Sequence, residues 1–101
     1  MMKKIIHARV AVKIDSIETF KKAAQTMLAA TRAEAGCISY ELFADEGVAG
    51  QFLFVEQWKD QAAIDDHFAA NHFKDFGQIL AQVSSAPLRV AIFTVSEETT
   101  V

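Results

Sequence analysis

The stretch Phe52-Leu53-Phe54-Val55-Glu56-Gln57-Trp58-Lys59-Asp60 decides how this chain is read. Four successive apolar residues describe a strand with two apolar faces, yet the same strand goes on to carry a carboxylate and the sole tryptophan. Asp60 then opens a helix as its cap. A period of two puts Phe52, Phe54, Glu56 and Trp58 on one face, and the segment that follows carries His67 and His72 over a sheet face. The expectation is a pocket walled by strand and helix.

Working outward, residues 37–44 form a second strand, with Ile38, Tyr40 and Leu42 on one face and Cys37, Ser39, Glu41 and Phe43 on the other. The loop Asp45-Glu46-Gly47-Val48-Ala49-Gly50 joins it to residues 51–59 as an antiparallel hairpin. Upstream, residues 3–14 alternate, with Lys4, Ile6, Ala8, Val10, Val12 and Ile14 on one side. Asp15 or Ser16 caps a helix whose stripe is Ile17, Phe20, Ala24, Met27 or Leu28, and Thr31, and Gly36 lies past its end. Downstream, Ala62, Ala63, Ile64 and Phe68 predict a short helix that pauses near Asn71. Phe73, Phe76, Leu80 and Val83 continue at helical spacing until Pro87 excludes it. Residues 88–95 are apolar nearly throughout, as in a strand covered on both faces, and the tail after Val95 is polar.

Strand, helix, strand, strand, helix, strand with right-handed crossovers is the ferredoxin-like α+β arrangement, a four-stranded antiparallel sheet with helices on one face. Phe43, Leu53, Val55 and Ile92 are expected on the other face, where a second copy would cover them and make a homodimer. The 101 residues suit one domain spanning 1–101, with a core over about 3–96. A formal charge of -3 with 23% charged residues offers no basic surface for nucleic acid. The N-terminus has no signal-peptide core and the chain no apolar span of membrane length, so no membrane partner and a cytoplasmic location are expected. Cys37, the sole cysteine, has no disulfide partner and reads as a small core residue rather than a nucleophile.

Glu34-Ala35-Gly36-Cys37-Ile38-Ser39-Tyr40, then Phe54-Val55-Glu56-Gln57-Trp58, then His67-Phe68-Ala69-Ala70-Asn71-His72-Phe73 resembles the antibiotic biosynthesis monooxygenase (ABM) domain family over essentially the whole chain. The resemblance implies a homodimer of ferredoxin-like subunits whose sheets form an α+β barrel, with a cavity in each subunit between sheet and helices. It implies oxidation of a small phenolic, quinol or polycyclic aromatic substrate by dioxygen, with no metal and no other cofactor. Family members of a haem-cleaving branch carry an asparagine on the first strand and a histidine on the last helix. Ala8 and Phe76-Gly77-Gln78 stand there in this chain, so haem is not expected. An isomerase branch acts on a phosphorylated autoinducer-2 type sugar, but Lys59, Lys74 and Arg32 have no clear inward placement for a phosphate. A non-catalytic dimer that only binds a small ligand is the third reading.

Each candidate residue has a structural and a chemical role open to it. Trp58 either stacks on a planar substrate or fills the core, and Phe54 on the same face joins it as a substrate-binding wall. Tyr40 either donates to an oxyanion or packs with its hydroxyl at the rim. Glu56, a carboxylate on the helix side of a sheet, must be hydrogen-bonded or paired, and either anchors a histidine or a helix N-terminus or takes part in catalysis. His67 and His72 are five residues apart, and on one unbroken helix they would diverge by roughly 140°. A break near Asn71 would free the second. One of them is the expected base, since imidazole titrates near neutrality. No His-x-x-x-His spacing accompanies them, so no metal is expected.

Overall fold

A computed structural model describes residues 2–101. Its strands are β1 (Lys4–Ala11), β2 (Cys37–Ala44), β3 (Gln51–Trp58) and β4 (Arg89–Thr94). Its helices are α1 (Ile17–Arg32), α2 (Gln61–Ala69) and α3 (Asn71–Val83). The sheet is antiparallel throughout, in the order β2-β3-β1-β4. This is the ferredoxin-like α+β fold that the pattern predicts.

The helices cover one sheet face because both surfaces are apolar there. β1 contributes Ile6, Ala8 and Val10, β3 contributes Phe52, Phe54 and Trp58, and α1 contributes the stripe Phe20, Ala24, Met27, Leu28 and Thr31, all buried. Full burial of such aliphatic and aromatic side chains is worth about 1.5–3 kcal/mol each, which fixes the register. The opposite face carries Phe43, Leu53, Val55, His7 and Phe93, and no element among the described residues covers it.

Five local expectations need correction. β1 ends at Ala11, and Ile14 lies in a 3-10 turn at 67% exposure, because Val12 and Lys13 turn away to bond Gly50 and Val83. Ser16 stands at the N-terminus of α1 but makes no side-chain cap there. In β2 a register shift between Cys37 and Ser39 sets Cys37 opposite Trp58 and against the core, and turns Ile38 out at 53% exposure. Ile92 pairs with the buried Ile6 and so lies on the helix side, and Phe93 takes the open face instead. β4 is an edge strand exposed along its length in the single chain, so neither of its faces is covered as the run of apolar residues predicts.

Two junctions position the site. Asp60 caps α2, accepting the Ala63 amide at 2.9 Å. Gly36 packs so closely on α2 that a Cβ there would stand 2.3 Å from the Ala63 Cβ. The loop between α1 and β2 is thereby pinned against α2.

Candidate functional site

Between sheet and helices lies an apolar cavity of about 220 Å³. Ile6 and Ala8 form its floor, Phe76 and Leu80 of α3 its roof, and Tyr40, Phe54, Glu56 and His67 its inner end. The pocket expected from the period-two strand is therefore present. Met27, Phe73 and Gly77 also line it and were not among the expected site residues. Helical periodicity marks Met27 and Phe73 as core-facing, but nothing in that pattern separates a cavity wall from a packed core, and Gly77 carries no apolar signal at all.

The chain breaks its helix at Ala70, which has extended backbone (φ -70°, ψ 147°) and ends α2 as it begins α3. His67 thus lies in the last turn of α2 and His72 in the first turn of α3, and both can turn to one point. That point is Glu34. Its Oε2 accepts from His67 Nδ1 at 2.6 Å and from His72 Nε2 at 2.8 Å. Glu34 follows α1, where its amide bonds Thr31 and its carbonyl accepts from Cys37. The first turn of α3, with its partial positive charge, favours a carboxylate there.

His67 is fully buried, and the rings of Tyr40, Trp58, Phe68, Phe73 and His72 surround it with centroids between 4.6 and 5.9 Å away. Burial lowers its pKa below the ordinary 6.5, against the opposing hydrogen bond and charge of Glu34. A carboxylate acceptor at Nδ1 assigns the ring proton to that nitrogen and leaves the Nε2 lone pair for the cavity. His72 is a quarter exposed and does not line the cavity.

Glu56 is buried at the cavity wall, where its Oε1 accepts from Trp58 Nε1 at 2.9 Å. Burial pushes its carboxyl up to about 7, and the Trp58 hydrogen bond opposes the rise. Glu34, not Glu56, is the anchor of the histidines, so the expectation that Glu56 orients the acting histidine is corrected. Trp58 is fully buried behind the cavity, its ring 4.6 Å from that of His67. It supports His67 and Glu56 and does not line the space where a substrate would stack. Tyr40 lines the cavity beside Phe54, with ring centroids 5.4 Å apart. Burial, and then the charge of Glu56, push its hydroxyl up, which keeps it a donor.

Glu34, His67 and His72 offer ligand atoms within 4.8 Å of one another, a set that could hold a metal ion. The donors stand at hydrogen-bonding separations of 2.6 and 2.8 Å. Tetrahedral ligands at roughly 2.0–2.2 Å from an ion would be farther apart, so the set fits shared protons better than a cation. Glu34 was the site residue that sequence reasoning passed over: it stands in the E-x-G-C-x-x-Y motif, but its partners lie 33 and 38 residues away.

The fold recurs in a solved antibiotic biosynthesis monooxygenase, 29% identical, with a TM-score of 0.87 over 95% of this chain and all of that one. It recurs in Rv0793 from Mycobacterium tuberculosis at a TM-score of 0.90 over 97% of this chain and 99% of that one, where 22% identity speaks for the fold alone. "Putative monooxygenase YcnE" of Bacillus subtilis is 36% identical over 92% of this chain and 98% of its own length. A Synechocystis protein, sll1783, is 33% identical over 95% of this chain, which spans 65% of that protein's length. No helix among the described residues is long and apolar enough to cross a membrane. The sequence model for antibiotic biosynthesis monooxygenases matches residues 5–78, and the chain belongs to that family.

Proposed function

We propose that this protein is a cofactor-independent monooxygenase of a phenolic or quinol ring, with His67 as its base. The observation that carries the reading is a buried imidazole at the wall of an apolar cavity, its Nδ1 held by a carboxylate. His67 Nε2 takes the phenolic proton, and Tyr40 donates to the oxyanion that forms. The phenolate gives one electron to dioxygen. The phenoxyl radical and superoxide then join at a ring carbon, and the imidazolium returns its proton to the new peroxide. Cleavage of the O–O bond with loss of the ring hydrogen expels water and leaves a quinone, so one oxygen atom enters the product and the other leaves as water. Glu56, its acidity close to neutral, can relay the ring proton. Trp58 fixes Glu56 and backs the imidazole, and Glu34 fixes the tautomer.

The described residues that line the cavity include no lysine or arginine, which supports an aromatic substrate over a phosphorylated sugar. Arg32 is occupied, donating to the Tyr40 carbonyl at 2.9 Å. The proposed assembly is a homodimer through the open sheet face, supported by half-buried and exposed apolar groups at Leu53, Val55, Phe43 and Phe93. Oxygen uptake with a panel of quinols, against each quinol's own rate in air, tests the activity. Uptake above the blank that His67→Ala removes is the expected result; uptake at the blank across the panel leaves a protein that only binds its ligand.

A further inference from the structure

Gly77 stands in the interior of α3, where glycine costs stability relative to alanine through its backbone freedom. Packing does not ask for it, since a Cβ at Gly77 would meet no atom within 4 Å. Its backbone does not ask for it either, because Gly50 is the sole described glycine with positive φ. The space that Gly77 leaves open has two sides. On one is the ring cavity, and on the other a groove of about 500 Å³ between the end of α3 and residues 84–88. Gly77, Leu80 and Leu88 border both. The cavity alone, at about 220 Å³, falls short of the roughly 300–1,000 Å³ typical of small-molecule sites, while cavity and groove together reach it.

We infer that Gly77 keeps open a passage from the ring site to this groove, and that the substrate is a ring bearing an apolar chain, with the ring at Tyr40 and His67 and the chain leaving past Gly77 between Leu80 and Leu88. Leu88 is 46% exposed in the single chain, an apolar residue placed where such a chain would cover it. The inference rests on the proposed ring site, but binding tests it without turnover.

The probes are 4-methylphenol, 4-butylphenol and 4-octylphenol, titrated into the intact protein by calorimetry. Affinity is expected to rise by up to about fourfold for each methylene that is buried, continuing past the butyl chain. Gly77→Leu fills the passage, and Leu is a good helix former, so the helix survives. It is expected to cut 4-octylphenol affinity at least tenfold and 4-methylphenol affinity by a clearly smaller factor, since Gly77 also borders the ring cavity. Gly77→Ala should raise Tm with a smaller loss for the octyl probe, and Gln78→Leu, one residue on, should change neither affinity. Equal affinity for methyl and octyl probes overturns the inference, as does an octyl gain that Gly77→Leu does not reduce, which would place the chain elsewhere on the surface. Chain-dependent binding without oxygen uptake upholds the passage and removes the oxygenase reading; uptake with methyl and octyl substrates alike and no chain dependence does the reverse.

Discussion

Removing the charge of Glu34 while keeping its hydrogen bonds tests the proposed base most directly. In Glu34→Gln the amide oxygen can take the place of Oε2, which accepts from His67 and His72, and the amide nitrogen that of Oε1, which bonds no described group. A hydrogen bond from imidazolium to a charged acceptor is worth about 1.5–3 kcal/mol and a neutral one about 0.5–1.5. The developing imidazolium therefore loses about 1–1.5 kcal/mol, a drop in kcat/KM of about 5- to 15-fold. His67→Ala, which removes the base itself, should cost about 10²–10⁴-fold. The pH profile gives a sign as well as a size. Burial lowers the His67 pKa while Glu34 raises it and His72 lowers it, so the rising limb of kcat/KM should lie below 6.5 in the intact protein. That limb should move to lower pH in Glu34→Gln and to higher pH in His72→Gln, whose amide can still bond Glu34. Stopped-flow oxygen consumption from pH 5 to 8 on a folded protein reads both. If Glu34→Gln moves the limb upward, or His67→Ala keeps full turnover on a validated substrate, His67 is not the base. A more acidic phenol, which ionises unaided, should shrink the His67→Ala loss.

Glu56 binds its proton more tightly folded than unfolded, so between about pH 4.5 and 7 folding becomes less favourable as pH rises, by up to about 3 kcal/mol. The Tm of Glu56→Gln should accordingly exceed that of the parent by a margin that grows from pH 5 to pH 8, and a constant margin would show that this carboxyl is ionised throughout. Gly36→Ala forces its new Cβ onto Ala63 and should destabilise by about 1–3 kcal/mol, or about 4–8 °C in Tm for each kcal/mol, with Ala63→Gly restoring part of the loss. Sedimentation equilibrium should give about twice the 11.1 kDa chain mass, and Val55→Glu on the open face should halve it; a parent that stays monomeric at micromolar concentration removes the barrel.

The fold was legible because its signals are local. Alternation over Lys4–Ala11, the stripe from Ile17 to Thr31 and the glycine-bearing hairpin loop each set a few residues' faces, and their order admits few topologies. The errors fell where one backbone event overrides parity. The register shift at Cys37 exchanges the faces of Cys37 and Ile38, and β4 looks like a central strand because its apolar run does not say what covers it. Of the residues that line the cavity, Tyr40, Phe54 and Glu56 lie on the faces that alternation assigns them, while alternation alone does not choose between His67 and His72. Trp58 lies on the expected face but is buried behind the cavity wall, since alternation gives side and not distance from the cavity. Glu34 was beyond reach for a different reason: it lies in a loop, where no period operates.

What burial does to the two groups left in the cavity wall bears on mechanism. Desolvation raises an acid and lowers a base, so Glu56 climbs toward neutrality while His67 falls below it. Around pH 7 His67 is neutral and Glu56 is poised between its forms, which suits both to passing a proton with little net charge to bury. The fold tolerates them only because each is tied from outside the cavity, Glu56 by the Trp58 indole and His67 by Glu34. Glu34 in turn reaches His72, a quarter exposed, so the hydrogen-bonded path from the buried imidazole ends near solvent. A proton taken from a substrate in this apolar cavity would therefore have a polar neighbour on which its charge can be shared. An apolar residue in place of Glu34 would leave the imidazolium without that neighbour at the moment it forms.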